Sequence, residues 1–198
     1  MKVKFTKAII VCIVSICLYS CFNAHCINLF FNPDETYWTD TYSKGDTLVF
    51  SSNRNNSDTI FIVGKTSYKP NGNCNPVEVS NYDCESCVID YTFKHDTITS
   101  ESDYLVQHVK ENRSSAIPTI RVYGLEYSRE ILKDTTIVLN TNGTKLNDCY
   151  SFHKKDCYDG WSNYKLKTFV WSKKMGLVMF VGENGEKFEI LKKITNNK

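Results

Sequence analysis

The chain has no apolar run long enough to cross a bilayer as a helix. Its N-terminal run, Ala8 to Tyr19, spans 12 residues, short of the roughly 20 that a spanning helix needs. There is no G-x-S-x-G, no H-E-x-x-H and no glycine-rich loop to cradle a phosphate, so the familiar nucleophile, zinc-protease and nucleotide signatures are all missing. No stretch sustains a 3.6-residue apolar period, which argues against a helical bundle. Internal repeats and low-complexity tracts are absent too. A surplus of positive charge is also lacking once the first segment is set aside. The 24 Lys and Arg against 22 Asp and Glu include Lys2, Lys4 and Lys7. Without those three the balance is slightly acidic, and a nucleic-acid partner would want a basic excess on one face.

What is present begins with that first segment. Three lysines, the short apolar run and then Ser20-Cys21 have the layout of an export signal. Leu18-Tyr19-Ser20-Cys21 resembles the bacterial lipobox: Leu18 stands at the aliphatic position, Ser20 at the small one, and Tyr19 departs from the usual Ala, Ser, Thr or Val. The resemblance implies that residues 1–20 are a lipoprotein signal peptide and that Cys21 is the lipidated first residue of the mature chain. Stable anchoring takes more than one acyl chain, each methylene contributing about 0.8 kcal/mol. A multiply acylated Cys21 meets that condition.

Nine cysteines are many for 198 residues. Two lie in the signal and one is Cys21, which leaves Cys26, Cys74, Cys84, Cys87, Cys149 and Cys157. An even count in an exported chain suggests a disulfide framework whose pairing the sequence leaves open. Cys149 with Cys157, closing a short polar loop, is the first expectation. Cys74 with Cys84 or Cys87 is the second.

The mature chain suits one domain with a real core. Residues 21–43 hold six aromatic side chains, Phe22, Phe30, Phe31, Tyr37, Trp38 and Tyr42, too many for a disordered linker. They read as a short tether to about Ala24 and then a packing segment. From residue 44 to 198 the pattern is strand after strand. Thr47–Ser51 and Thr59–Val63 are β-branched and aromatic runs joined by a turn-rich N-R-N-N-S-D. Cys87–Phe93, Tyr104–Val109, Ile117–Tyr123, Thr135–Leu139 and Lys165–Trp171 continue the theme. Asn184-Gly185 suits a two-residue type I′ hairpin turn, which would set Val181 opposite Phe188 and Met179 opposite Ile190. The expected fold is all-β: an antiparallel meander, a sandwich or an open curved half-barrel, with little helix after the signal.

Cys84-Glu85-Ser86-Cys87 is a C-x-x-C, but it runs into a β-like stretch instead of opening a helix, and Asp83 and Glu85 oppose thiolate formation. A loop or disulfide role is favoured over redox chemistry. A zinc ribbon would need a second such pair, which Cys149 and Cys157 do not supply. No cofactor and no metal site is expected. Asp46-Thr47-Leu48, Asp58-Thr59-Ile60, Asp96-Thr97-Ile98 and Asp134-Thr135-Thr136 resemble the O-glycosylation acceptors of exported Bacteroidetes proteins. An Asp ending a turn before a strand-opening Thr accounts for the pattern as well.

F-F-N-P-D-E-T-Y-W, S-K-G-D-T-L-V-F-S-S-N with D-T-I-F-I, and F-V-W-S-K-K-M-G-L-V-M-F closing in N-G-E-K-F-E-I-L together look like small Bacteroidetes lipoproteins of unknown function. In those, a W/Y-S-x-x-x-G-L-V segment feeds a last β-hairpin. The resemblance implies a cell-envelope address, lipid-anchored through Cys21. Phe22-Asn23-Ala24-His25 lacks an acidic run of the kind that resembles surface-export signals in that phylum, which favours the periplasmic face of the outer membrane that the resemblance implies. Three roles remain. A non-enzymatic binding or assembly module, working with another envelope protein, leads. A carrier of an apolar ligand in a curved sheet follows, and would need an apolar cavity of several hundred Å³. An enzyme is third, and would need polar groups, such as some among His95, His108 and His153, to converge in one pocket.

Overall fold

The computed structural model describes residues 26–72, 74, 82–95, 98–99, 103–114, 116–128, 134–141, 143–159 and 165–196. Residues 1–25, which hold the expected signal segment and Cys21, lie outside the described residues, as do Asp96 and Thr97. The chain opens with β1 (Ile27–Leu29) and one short helix, α1 (Tyr37–Asp40). Then come β2 (Thr47–Ser52), β3 (Ser57–Tyr68), β4 (Tyr82–Cys84), β5 (Ser86–His95), β6 (Ile98–Thr99), β7 (Asp103–Val109) and β8 (Thr119–Val122). The remainder are β9 (Leu125–Tyr127), β10 (Asp134–Val138), β11 (Lys145–His153), β12 (Tyr158–Asp159), β13 (Leu166–Ser172), β14 (Gly176–Gly182) and β15 (Lys187–Ile194).

The fold is all-β. Among the described residues, 13 strands form one antiparallel sheet in the order β10-β11-β13-β14-β15-β2-β3-β5-β7-β8-β9-β12, with β6 added to β5. The last long strand, β15, pairs with the first, β2. β1 and β4 make a separate parallel pair. The sheet curls into a half-barrel. Ring contacts across the strand order show how tightly. Tyr123, in the β8–β9 turn, meets Phe180 of β14 at 5.1 Å between centroids. Tyr127 of β9 meets Phe152 of β11 at 4.6 Å. β12, which follows β11 through a 3-10 turn at Lys154–Asp156, pairs with β9.

The alternation that makes the strands also fills the curl. In β2 the burial alternates strictly, sending Leu48 and Phe50 inward and Val49 outward, as a pleat with one dry face requires. Phe180 meets Phe50 edge-on and stacks on Phe188, with centroids 5.1 and 4.9 Å apart. A second cluster brings Trp38 of α1 and Tyr42 against Trp171 of β13, at 6.0 and 5.7 Å. The Tyr42 hydroxyl accepts the Leu177 N–H at 2.6 Å. Gly176 sits directly under that ring with φ +77°, and a Cβ there would collide with it. Burying each such aromatic contributes about 1.5–3 kcal/mol.

The last hairpin corrects the expected turn. Gly182 N–H donates to the Glu186 carbonyl at 2.9 Å and Gly185 N–H to the Gly182 carbonyl at 3.0 Å. The loop is therefore Glu183-Asn184-Gly185, with Gly185 alone at positive φ (+78°), the three-residue turn with its left-handed closing residue. The register shifts by one, so that Phe180 faces Phe188 and Val181 faces Lys187. A one-residue shift exchanges the two faces of a strand. The chosen register puts Phe180 opposite Phe188 in the curl, where the expected one would have placed Val181.

Candidate functional site: the N-terminal strap and its clefts

Residues 26–43 form a strap pinned at several points. Cys26 is bridged to Cys74, with Cα atoms 5.5 Å apart. β1 then pairs with β4, Ile27 opposite Tyr82 and Leu29 opposite Cys84. Glu85 fastens the exit: its N–H donates to the Leu29 carbonyl at 2.8 Å, and its carboxylate accepts the Phe31 N–H at 2.8 Å. The Phe31 ring stacks on His108 of β7 at 4.2 Å.

Glu35 and Lys110 form a buried ion pair beneath the strap. Lys110 Nζ donates to both Glu35 oxygens, at 2.7 and 2.9 Å, and to the Ser114 carbonyl at 2.6 Å. Glu35 also accepts the N–H groups of Asn32 and Ala116, each at 2.6 Å. Burial pushes the Glu35 carboxyl up, but these donors and the Lys110 charge outweigh it and hold its pKa below the ordinary value. Burial pushes the His108 pKa down, further than the Ala116 carbonyl and Glu35 lift it. The imidazole is therefore neutral at pH 7, and its Nδ1 finds no partner among the described residues. A cleft of about 460 Å³ opens beside this pair, lined mainly by polar groups such as Gln107, Glu111, Asn112 and Thr119. Its lining comes mainly from β7, the loop that follows and the start of β8, and includes no aromatic side chain.

The cysteines pair differently from expectation. Cys74 takes Cys26 as its partner, not Cys84 or Cys87, because the β1–β4 ladder carries the strap past the loop that holds Cys74. Cys149 and Cys157 are not bridged to each other. The stretch read as a polar loop is the strand β11, which buries Cys149 in the core, and four more strand residues and the 3-10 turn intervene before Cys157. Cys84 and Cys87 are thiols at the end of β4 and the start of β5. Burial, Asp83 and Glu111 raise the Cys84 pKa, the reverse of what a reactive thiolate needs. Ser67 Oγ donates to the Cys87 sulfur at 3.3 Å. Among the described residues, no three His, Cys, Asp or Glu side chains converge as metal ligands.

The histidines of the enzyme reading do not assemble. His108 sits opposite Cys87 on β5, whereas His95 ends that same strand eight residues further on, about 27 Å away at strand rise. His153 closes β11, where its Nδ1 lies 3.1 Å from Thr168 Oγ1. There, with Lys154, Lys155 and Lys167, it lines a second cleft of about 340 Å³. Lys154 pairs with Glu183 across it at 2.5 Å. Two of the Asp-Thr motifs open strands on buried carboxylates. Asp46 accepts the Ser43 N–H at 2.9 Å and pairs with Lys193 at 3.1 Å. Asp58 accepts the Tyr123 hydroxyl at 2.6 Å. The long-range contacts, Asp46 to Lys193 and Asp58 to Tyr123, were not readable from the sequence, since each joins residues far apart in the chain.

No family model, curated protein or solved structure matches this chain. No described helix is long and apolar enough to cross a membrane.

Proposed function

We propose that the protein is a lipid-anchored module of the cell envelope that binds or assembles with a partner and performs no chemistry of its own. Residues 1–20 direct export. Acylated Cys21 then holds the domain to the outer membrane on its periplasmic face, in the manner of the small Bacteroidetes lipoproteins it resembles. The observation that carries the choice between module and carrier is the packed interior of the half-barrel. Phe50, Phe180, Phe188, Tyr123 and Trp171 occupy the space an apolar ligand would need. Two clefts among the described residues, of about 460 and 340 Å³, are lined mainly by polar or cationic side chains. That geometry favours contacts made by the outer surface over a cargo carried inside.

The deciding experiment compares wild type with Cys21→Ser by intact mass and membrane fractionation. The expected wild-type product begins at Cys21, carries acyl chains and sediments with membranes, while Cys21→Ser is released. A product that begins at Met1, without lipid and freely soluble, would overturn the reading.

A further inference from the structure

Cys21 lies five residues before Cys26. At 3.3–3.6 Å per residue, that leash reaches at most about 18 Å. Its far end is a fixed point on the domain. The bridge to Cys74, the β1–β4 ladder and the two Glu85 hydrogen bonds all hold the chain there. A domain on so short a leash cannot swing freely. One particular surface must face the bilayer.

That surface is unusually aromatic. Tyr82, paired with Ile27 next to the bridge, is 43% exposed, and Phe30, just beyond β1, is 51% exposed. Tyr68, also 43% exposed, is steadied by its hydroxyl, which donates to Asp83 on β4 at 2.7 Å. The same carboxylate accepts the N–H groups of Asn71 and Gly72, at 2.9 and 3.0 Å, so the turn after β3 is fastened to the ladder as well. Lys69 stands exposed between Tyr68 and that turn. A single exposed aromatic needs no explanation, but here three flank the β1–β4 ladder at the root of the leash. Tyrosine combines an apolar ring with a polar tip and gathers where hydrocarbon meets water. A lysine beside such rings suits anionic headgroups.

We infer that the surface around the β1–β4 ladder, carrying Phe30, Tyr68 and Tyr82, rests in the headgroup layer of the membrane that holds Cys21. The domain then stands in one orientation and offers its remaining surface to partners. This inference rests on lipidation at Cys21. Its own content is the orientation.

The test is hydroxyl-radical footprinting read by mass spectrometry. The full-length acylated protein is reconstituted into phosphatidylethanolamine–phosphatidylglycerol vesicles and compared with the soluble Cys21→Ser form. Labelling of Phe30, Tyr68 and Tyr82 should fall at least about threefold on the vesicles, as expected for rings withdrawn into an interface. Tyr158 is 72% exposed on β12, four strands from β5 in the sheet order, and its labelling should not change. Equal labelling of all four residues in both samples, with acylation confirmed by mass, would overturn the orientation and leave the anchor standing. A sample whose mass shows no acyl chains would remove both.

Discussion

Inside the half-barrel, Phe50, Phe180 and Phe188 meet ring against ring, and each is fully withdrawn from solvent. The strap over residues 26–43 is fastened in another way: by a disulfide, by the Glu85 hydrogen bonds and by the Glu35–Lys110 pair. Apolar packing is insensitive to pH and redox state, whereas a carboxylate and an ammonium respond to pH and a sulfur bridge to reductant. The chain therefore combines an interior that withstands changes of solvent with an N-terminal fastening that does not. The two meet at Trp171, where the strap's Trp38 and Tyr42 enter the interior.

The largest effect should come from the interior. Phe180→Ala removes a ring that touches Phe50, Tyr123 and Phe188, and truncating a buried phenylalanine costs about 3–5 kcal/mol. The denaturation midpoint should fall for the whole domain in one transition, with an unchanged m-value. A loss confined to the strap would break the distinction between the regions.

Glu35→Gln should come next. It leaves Lys110 buried with only neutral acceptors, and disrupting one side of a buried ion pair costs about 3 kcal/mol. The loss should be local: amides of Asn32 and Ala116, which donate to Glu35, should exchange faster while those of β14 and β15 keep their protection. A pH titration sharpens the same point. The folded Glu35 pKa lies below its ordinary 4.5, so its contribution is fully present above that value and is lost as the pH falls through the folded pKa. Strap amides should therefore open in acid before those of the interior. Simultaneous opening of both would show that the pair holds the whole domain.

Much of this architecture was legible in the sequence, and the parts that were not share a cause. Runs such as Thr47–Ser51, Cys87–Phe93 and Lys165–Trp171 announce β2, β5 and β13 because their alternation is local. β11 escaped notice because Lys145, Asn147, Ser151 and His153 line its outer side, so the stretch reads as polar. The strap's fastenings join partners far apart in the chain: Cys26 to Cys74 across 48 residues, Glu35 to Lys110 across 75. No local period records such pairings. The polar cleft is built locally, by residues between Gln107 and Ser128, but no motif in that polar stretch announces it.

Replacing the bridge, Cys26→Ser with Cys74→Ser, should have a smaller effect of about 2 kcal/mol, at the low end for a native disulfide. The β1–β4 ladder and Glu85 still hold the strap when the bridge is gone. Limited proteolysis before Ile27 should quicken in the variant, with cleavage within the half-barrel unchanged. Quickened cleavage throughout would make the bridge a global brace.

The smallest effect tests the last hairpin and, through it, which residues belong to the interior. Gly185 has φ +78° with nothing near the position a Cβ would take, so Gly185→Ala costs only backbone strain, about 1 kcal/mol. Asn184→Ala should cost less. Its backbone is not left-handed, and the change removes only the hydrogen bonds its side chain makes to Glu186, among them the one Asn184 Oδ1 accepts from the Glu186 N–H at 2.9 Å. A two-residue turn would need positive φ at both positions, and alanine would then be resisted alike at each. Thermal melts of the two variants decide between these geometries. Equal destabilisation would return Val181 to its place opposite Phe188 and turn Phe180 out of the interior, and the filled half-barrel that separates a module from a carrier would go with it.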